Sequence, residues 1–374
     1  MLLEFYFVFF FGILVFDFSR KYKDVRPLFF FFLILFAMII AGRNLMEHDT
    51  RAYTSFFNEL PFGSFSIEGN RFDKGFQILT GLLKILSLGN VRVYFFYIVI
   101  INFLFLCKAA KNILPLLTEE YSYEIYELFF LFFLSYSGIF YFAITIRSSI
   151  AICITVYANS IYLSKRKKII PFLLILFASV FHISAILFGM LSYFIFLISK
   201  KPFSKKMFYL LWFVTGVIYF FNLSAKLMVS TIKTPLFSDI LNFINPSAYK
   251  LFVFYAEATW DIDFGVSKRY LLYYVLELIF IIHYQKNDVL EFKLLVVYCV
   301  GMLIMTGGRM IAQIERVSDF FVIYQSFLLC NYVKLNKKIL QSSYVYYLFL
   351  FIILFSQILF SVNLFNMGLT EAFQ

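Results

Sequence analysis

Long apolar runs separated by short polar segments recur along the whole chain. A helix of about 20 apolar residues crosses a bilayer core of roughly 30 Å. About twelve such runs are present, and we therefore predict an all-α polytopic membrane protein in which residues 1–374 form one integral membrane domain. The predicted spans are 3–18, 27–42, 92–107, 124–140, 147–163, 169–182, 185–199, 207–223, 270–284, 292–306, 317–333 and 343–361.

Two polar stretches, 43–91 and 224–269, are too long to be simple turns. If the spans alternate in direction, both stretches lie on the outer, periplasmic side. Within the first, the apolar spacing of Gly75–Leu88 predicts a short amphipathic or interfacial helix. Long loops of this kind tend to carry function. We therefore expect the chemistry of the protein on its outer face.

Charge placement supports this orientation. The chain is 62% hydrophobic and 15% charged, with a net charge of +11. Its lysines and arginines cluster in short loops on one predicted side, which the positive-inside rule makes cytoplasmic. The net charge is thus a topology signal and does not indicate nucleic-acid binding. The clusters are Arg20–Arg26, Lys108 with Lys111, Lys165–Lys168, Lys200–Lys206, Lys286–Lys293 and Lys334–Lys338.

The N-terminal sequence MLLEFYFVFFFGILVF has neither the basic region nor the small-residue cleavage site of a signal peptide. It predicts a retained first span, with both termini periplasmic. All four cysteines fall in apolar runs, which is typical of buried packing residues and not of disulfides or metal ligands.

Arg147 is the only formal charge between Leu128 and Leu163. A lone arginine in mid-membrane costs about 3 kcal/mol. The segment is about 36 residues long, or ~54 Å as a helix, and must contain a turn. The Ser135–Gly138 cluster is the predicted break, which places Arg147 at the outer rim. There it either binds an anion or simply anchors the helix at the headgroups.

Other polar side chains are expected at the same depth. Three arginines and a histidine on one face suggest an anionic ligand, since guanidinium groups match phosphate oxygens. Simpler roles are open: Arg316 can pair with Asp319, and aspartates commonly cap helices. The candidates are His182 in the turn before the seventh span, Asp49 beside Glu47 and His48, and Arg309, Gln313 and Arg316, which share a face if helical.

Several of these segments resemble the O-antigen polymerase family of the EpsG/Wzy type over about residues 40–330. Their order and predicted membrane side carry the resemblance. Arg147 is followed by serine where the family commonly has glutamine. The matching elements are Asp49-x-x-x-Tyr53, Phe72-Asp73-Lys74-Gly75-Phe76, Ile146-Arg147-Ser148-Ser149-Ile150-Ala151, Phe181-His182-Ile183-Ser184-Ala185 and Arg316 before Phe320.

The resemblance implies a polymerase-type, GT-C-like helical bundle in the bacterial inner membrane. Such enzymes join undecaprenyl-diphosphate-linked oligosaccharide units at the periplasmic face, with a chain-length regulator and a flippase as partners. The acidic pair Asp261 and Asp263 is too weak a pattern for a metal site, so we expect no metal or other cofactor.

By the same resemblance, arginines stabilise the diphosphate leaving group. Arg147 and Arg316 are expected to hold it, with Arg309 assisting. His182, or else Asp49, is expected to take the acceptor proton. Asp73 and Tyr53 are then expected in the acceptor loop.

Three other functions fit part of the pattern. A GT-C-like glycosyltransferase using a polyprenyl monophosphate sugar shares the span number and the acidic first outer loop, but usually needs a metal. An O-antigen ligase shares the arginine chemistry. A lipid-linked oligosaccharide flippase, which is not an enzyme, carries charge through a central cavity, whereas the charges here are predicted at the outer rim.

Overall fold

The computed structural model describes residues 2–22, 27–43, 45, 48–118, 123–224, 267–308, 314–335, 352, 354 and 355. All regular structure in these ranges is helical. The helices are α1 (Leu2–Lys21), α2 (Pro27–Ala41), α3 (His48–Glu59), α4 (Lys74–Leu86), α5 (Val91–Thr118), α6 (Tyr123–Phe133), α7 (Ile139–Ala143), α8 (Ile146–Lys165), α9 (Ile169–Ser179), α10 (Met190–Ile198), α11 (Lys205–Phe220), α12 (Lys268–His283), α13 (Val289–Gly307), α14 (Ile314–Val322) and α15 (Gln325–Leu335). Two π-helical segments, Leu134–Gly138 and Ala185–Gly189, precede α7 and α10.

The chain divides into two compact units, residues 1–198 with 326–374 and residues 199–325. In the first unit α8 is the central helix, buried along almost its whole length and packed against α5 and α9. Small residues on α8 allow these helices to approach closely. Buried amides also link the helices, since Asn102 donates to Ser149 and Asn159 donates to Ser192.

Phenylalanine rings fill the rest of the first unit. Phe103 lies edge-on to Phe130 and Phe142, with ring centroids 6.0 and 5.3 Å apart. Phe36 of α2 and Phe9 of α1 extend the same cluster. Edge-to-face pairs of this kind add stability beyond the apolar area that they bury.

The second unit contains α11, α12, α13 and α14. Trp212 of α11 stacks on Tyr274 of α12 at 4.6 Å, and its indole N–H donates to the Tyr274 carbonyl. Gly301 of α13 lies against Phe321 and Val322 of α14, where a Cβ atom would come within 2.8 Å of both side chains. This glycine therefore sets the distance between the two helices.

Three helical segments of the described chain are long and apolar enough to cross a membrane, namely Val91–Leu117, Ile146–Lys165 and Val289–Gly307. Shorter apolar helices accompany them at Tyr6–Ser19, Pro27–Ala41, Ile169–Ser179 and Ala185–Ile198. Together they indicate a membrane protein. The number of spans, the single domain and the two outer stretches stay predictions.

The first eleven predicted apolar runs coincide with helices, and the helix predicted near 75–88 is present as α4. The break expected at Ser135–Gly138 is wrong. There a π-helical segment continues the helix, and the Ser135 hydroxyl donates to the Phe132 carbonyl within it. The helical run ends instead at Ile144 and Thr145, whose N–H groups both donate to the Phe140 carbonyl.

Three further expectations need correction. Lys108 and Lys111 lie within α5 and not in a loop, since this 28-residue helix is longer than the bilayer core. The run 317–333 is split between α14 and α15. The segment 43–91 holds a second helix, α3, that was not predicted. Residues 225–266, and most of the twelfth predicted span, lie outside the described residues.

Candidate functional site

Arg147 and Asp73 form an ion pair between the start of α8 and the segment before α4. The Arg147 Nη1 donates to the Asp73 Oδ2 at 3.0 Å. The two side chains are 24% and 25% exposed, so the pair is partly shielded and still accessible to a ligand. Arg147 lies in the first turn of its helix, as predicted, and its partner is 74 residues away in the sequence.

The Asp73 carboxylate is directed to Arg147 and not to its own helix. Asp73 occupies the N-cap position of α4, yet its side chain makes no capping hydrogen bond. Asp288 shows the usual arrangement at α13, where its carboxylate accepts from the N–H groups of Leu290 and Glu291, both at 2.9 Å. Of the two simpler roles for Asp73, capping the helix is therefore wrong, and ordering the outer stretch 43–91 stays open.

A network of hydrogen bonds fixes the loop that carries Asp73. The Gln77 amide group donates to the Phe72 carbonyl at 2.7 Å, and the Gln77 Oε1 accepts from the Ile67 N–H at 2.9 Å. The Asn70 side chain accepts from the Phe72 N–H at 3.0 Å. Gln77 is buried. The loop therefore presents Asp73 from a preorganised backbone.

The Phe72 ring also contacts the guanidinium of Arg147. The guanidinium carbon lies 4.8 Å from the centroid of this ring. Phe72 itself packs against Tyr53 at 5.5 Å, Phe56 at 4.9 Å and Phe76 at 5.6 Å. Tyr53, predicted as an acceptor-loop residue, is buried behind Phe72 and supports it.

Gly75 contacts the turn that carries His182 and so brings this turn close to Asp73. Its N–H donates to the Val180 carbonyl at 3.1 Å. A Cβ atom on Gly75 would lie 2.4 Å from the Val180 Cγ1 and 2.7 Å from its carbonyl oxygen. A glycine is therefore needed between Asp73 and Phe76, which explains the spacing of this sequence element.

Ser184 sets the tautomer of His182. Its backbone N–H donates to the His182 Nδ1 at 3.2 Å, and its hydroxyl lies 2.6 Å from the same nitrogen. A backbone N–H can only donate, so Nδ1 is an acceptor and the neutral ring carries its proton on Nε2. The His-x-Ser spacing in this turn thus fixes the orientation of the imidazole.

The three sequence elements around Asp73, Arg147 and His182 therefore meet within the first unit. Asp73 contacts Arg147. Gly75 contacts the turn that carries His182. Asp49 lies in the first turn of α3, one turn before Tyr53, and is partly exposed. Its place in the site stays a prediction.

The structure describes the late arginines only in part. Arg309 and Gln313 lie outside the described residues, and Arg316 lies in α14 without a described side chain. The second unit does contain a buried ion pair, in which the Arg269 Nη2 donates to the Asp319 Oδ1. These two side chains are 3% and 1% exposed. Asp319, proposed as a surface partner of Arg316, is thus engaged in the protein interior.

Sequence reasoning missed several buried charged residues, among them Arg43, Arg269 and Glu277. Arg43 is 1% exposed, donates to the Thr50 hydroxyl and the Ile40 carbonyl, and lies 4.0 Å above the Phe95 ring. Arg269 lies at the start of α12, and Glu277 is fully buried within it. Their sequence context could have identified them, as it did Arg147, because each is a charged residue inside or beside an apolar run.

Among the residues that the structure describes, no three or more His, Cys, Asp or Glu side chains come close enough together to hold a metal ion. The described cysteines carry no disulfide and are buried or partly buried, in line with a packing role. Whether the protein uses a metal stays a prediction.

A family comparison gives the identity of the chain at the level of its family. The model of the EpsG family matches residues 27–371, which include the three elements around Asp73, Arg147 and His182. No curated protein and no solved structure matches the chain. The chain therefore belongs to the EpsG family, whose members are membrane proteins of the polysaccharide-polymerase type.

Proposed function

We propose that this protein is a surface-polysaccharide polymerase that joins undecaprenyl-diphosphate-linked oligosaccharide units at the periplasmic face of the bacterial inner membrane. The family match supports the reaction class. The observation that carries the proposal is the convergence of Arg147, Asp73 and the His182 turn, three elements distant in sequence.

The reaction needs a cation where the diphosphate leaves. The acceptor hydroxyl oxygen forms a bond to the anomeric carbon of the donor sugar. The bond from that carbon to the diphosphate oxygen breaks, and the diphosphate departs with the electron pair. A guanidinium held in a partly shielded position stabilises this negative charge as it develops. Arg147 is held in such a position by Asp73 and Phe72.

The acceptor proton must go to a base, for which His182 and Asp49 are the two candidates. Neutral His182 carries its proton on Nε2 while Ser184 donates to Nδ1. His182 can accept a proton only at Nδ1, after its contact with Ser184 opens. As the ring stands, its Nε2–H suits donation to an oxyanion. Asp49 is the second candidate, because a carboxylate can accept at both of its oxygens.

The remaining features of the proposal concern the late arginines and the membrane. Arg316, with Arg309, contributes further positive charge to the diphosphate. No metal takes part. Ile78, Leu82 and Leu86 form an exposed apolar stripe on α4, which we assign to the membrane surface. Both termini are periplasmic, and a chain-length regulator and a flippase act with the enzyme.

To test the proposal, the gene for the protein is deleted and the surface polysaccharide of the host is analysed on a gel. A polymerase leaves one repeat unit attached to the lipid core and no ladder. Loss of every repeat would point to a flippase, a ligase or an earlier glycosyltransferase, and would refute the proposal. Complementation with the wild-type chain should restore the ladder.

Arg147→Ala should fail to restore the ladder at normal abundance in the membrane. Arg92 is a matched control, since it is also the second residue of a span and is exposed. If Arg147 were only an anchor at the headgroups, Arg147→Ala and Arg92→Ala would behave alike. A normal ladder from Arg147→Ala would refute its role at the diphosphate.

A further inference from the structure

We propose that Asp73 is a placeholder for the anionic group of the substrate. It holds Arg147 while the site is empty and is exchanged for diphosphate oxygens on binding. It thereby lowers the affinity for the diphosphate product and helps to release it. This inference rests on the proposed function of Arg147 as the diphosphate ligand.

The hydrogen bonds of Arg147 leave room for a ligand. A guanidinium has five N–H donors. Toward the described residues, Arg147 uses one of them, the Nη1 bond to Asp73. Its Nε is buried and has no hydrogen-bond partner there. The contact with Asp73 is single, whereas carboxylates and phosphates often engage both arms of a guanidinium. A diphosphate can therefore make more hydrogen bonds to Arg147 than Asp73 does.

The surroundings favour exchange over a permanent ion pair. Each side chain is about a quarter exposed, so water and anions can reach the contact. By comparison, the Arg269–Asp319 pair is almost completely buried and can exchange its partner only if the protein opens. The ring of Phe72 stays beneath the guanidinium whether or not the carboxylate does. Arg147 can thus keep its position while its anionic partner changes.

Asp73 also does not cap the helix that it precedes, as aspartates at a helix start usually do. It makes no capping hydrogen bond, and the loop is held by Gln77 and Asn70. The carboxylate is therefore dispensable for the local fold. Its negative charge repels a bound diphosphate, because two anions beside the same guanidinium repel each other. When the Asp73 carboxylate pairs with Arg147 again, it displaces the diphosphate product.

The experiment measures binding of inorganic pyrophosphate to the full-length protein in phosphatidylcholine nanodiscs by calorimetry at fixed ionic strength. Asp73→Asn keeps the size of the side chain and an oxygen acceptor but removes the competing charge. Asp73→Glu keeps the charge. Asp288→Asn is the matched control, since Asp288 also precedes a helix but caps it.

We expect Asp73→Asn to bind pyrophosphate more tightly than the wild type by up to about fivefold, the upper end of the range for a partly exposed ion pair. Asp73→Glu and Asp288→Asn should bind as the wild type does. Arg147→Ala should lose binding, with or without Asp73→Asn, because the effect acts through Arg147.

Equal or weaker binding by Asp73→Asn, with binding still lost in Arg147→Ala, would overturn the placeholder and make Asp73 a positioning residue. The proposed role of Arg147 would then stand. Unchanged pyrophosphate binding in Arg147→Ala would instead refute the diphosphate role of Arg147 itself. The two failures are therefore distinguishable.

Discussion

Gly75→Ala tests whether the contact between the Asp73 loop and the His182 turn is needed for activity. The new Cβ would lie 2.4 Å from the Val180 Cγ1, 2.7 Å from its carbonyl oxygen and 2.9 Å from its carbonyl carbon. Ordinary carbon contacts are about 3.5–4.0 Å. A rotamer change of Val180 relieves only the first clash, so the backbone of one segment must move by roughly 1 Å.

The cost follows from three contributions. Overpacking costs about 1–3 kcal/mol. Weakening the hydrogen bond from Gly75 to Val180 adds about 0.5–1.5 kcal/mol. Alanine has a higher helix propensity than glycine, which stabilises the folded state by up to ~1 kcal/mol. The free energy of unfolding should thus fall by about 0.5–4.5 kcal/mol. A displacement of ~1 Å near the reacting groups lowers turnover by up to about 100-fold.

The assay compares thermal unfolding in detergent with the polysaccharide ladder from complemented cells. Gly307→Ala is the control, since among the described residues a Cβ there would meet no atom within 4 Å apart from its own helix backbone and chain neighbours. Adding Val180→Ala to Gly75→Ala should restore only part of the stability, because the clash with the carbonyl oxygen remains. A wild-type ladder and melting temperature in Gly75→Ala would refute the reasoning.

Two further predictions concern other parts of the chain. Arg269→Leu should lower the free energy of unfolding by about 3–5 kcal/mol, because it removes the arginine from a buried ion pair. Adding Asp319→Leu should recover part of the loss, and unchanged melting of Arg269→Leu would contradict this. His182→Gln, which supplies an N–H donor, should keep more turnover than His182→Ala, and equal loss in both would favour a role as base.

Much of the helical architecture could be predicted from the sequence. Apolar runs gave the positions of the first eleven predicted helical segments, because lipid or protein interior excludes polar residues from such runs. The apolar periodicity of 75–88 gave α4. The break within 128–163 was misplaced because serine and glycine were treated as interrupting a helix. A π-helical segment accommodates them instead, and Ser135 satisfies its hydroxyl within the helix.

The candidate site was predictable in its parts but not in its connections. Because Arg147 is isolated in an apolar run, the sequence identified it as a candidate site residue. The His-x-Ser spacing identified the His182 turn as a second candidate. Neither the pairing of Arg147 with Asp73 nor the docking of Gly75 on Val180 is written in local sequence, since both join residues far apart in the chain. Arg269 with Asp319 is a third such case, joining α12 to α14.

The sequence by itself determined that this chain is a helical membrane protein of the EpsG family, because composition and motif order are properties of the chain alone. Only the tertiary structure decided which charge neutralises Arg147 and which segment needs a glycine. A charge at a membrane-spanning helix must find a partner, and the sequence alone does not say which acidic residue supplies it. The packing of α4 and α8 against α5 brings Asp73 to Arg147.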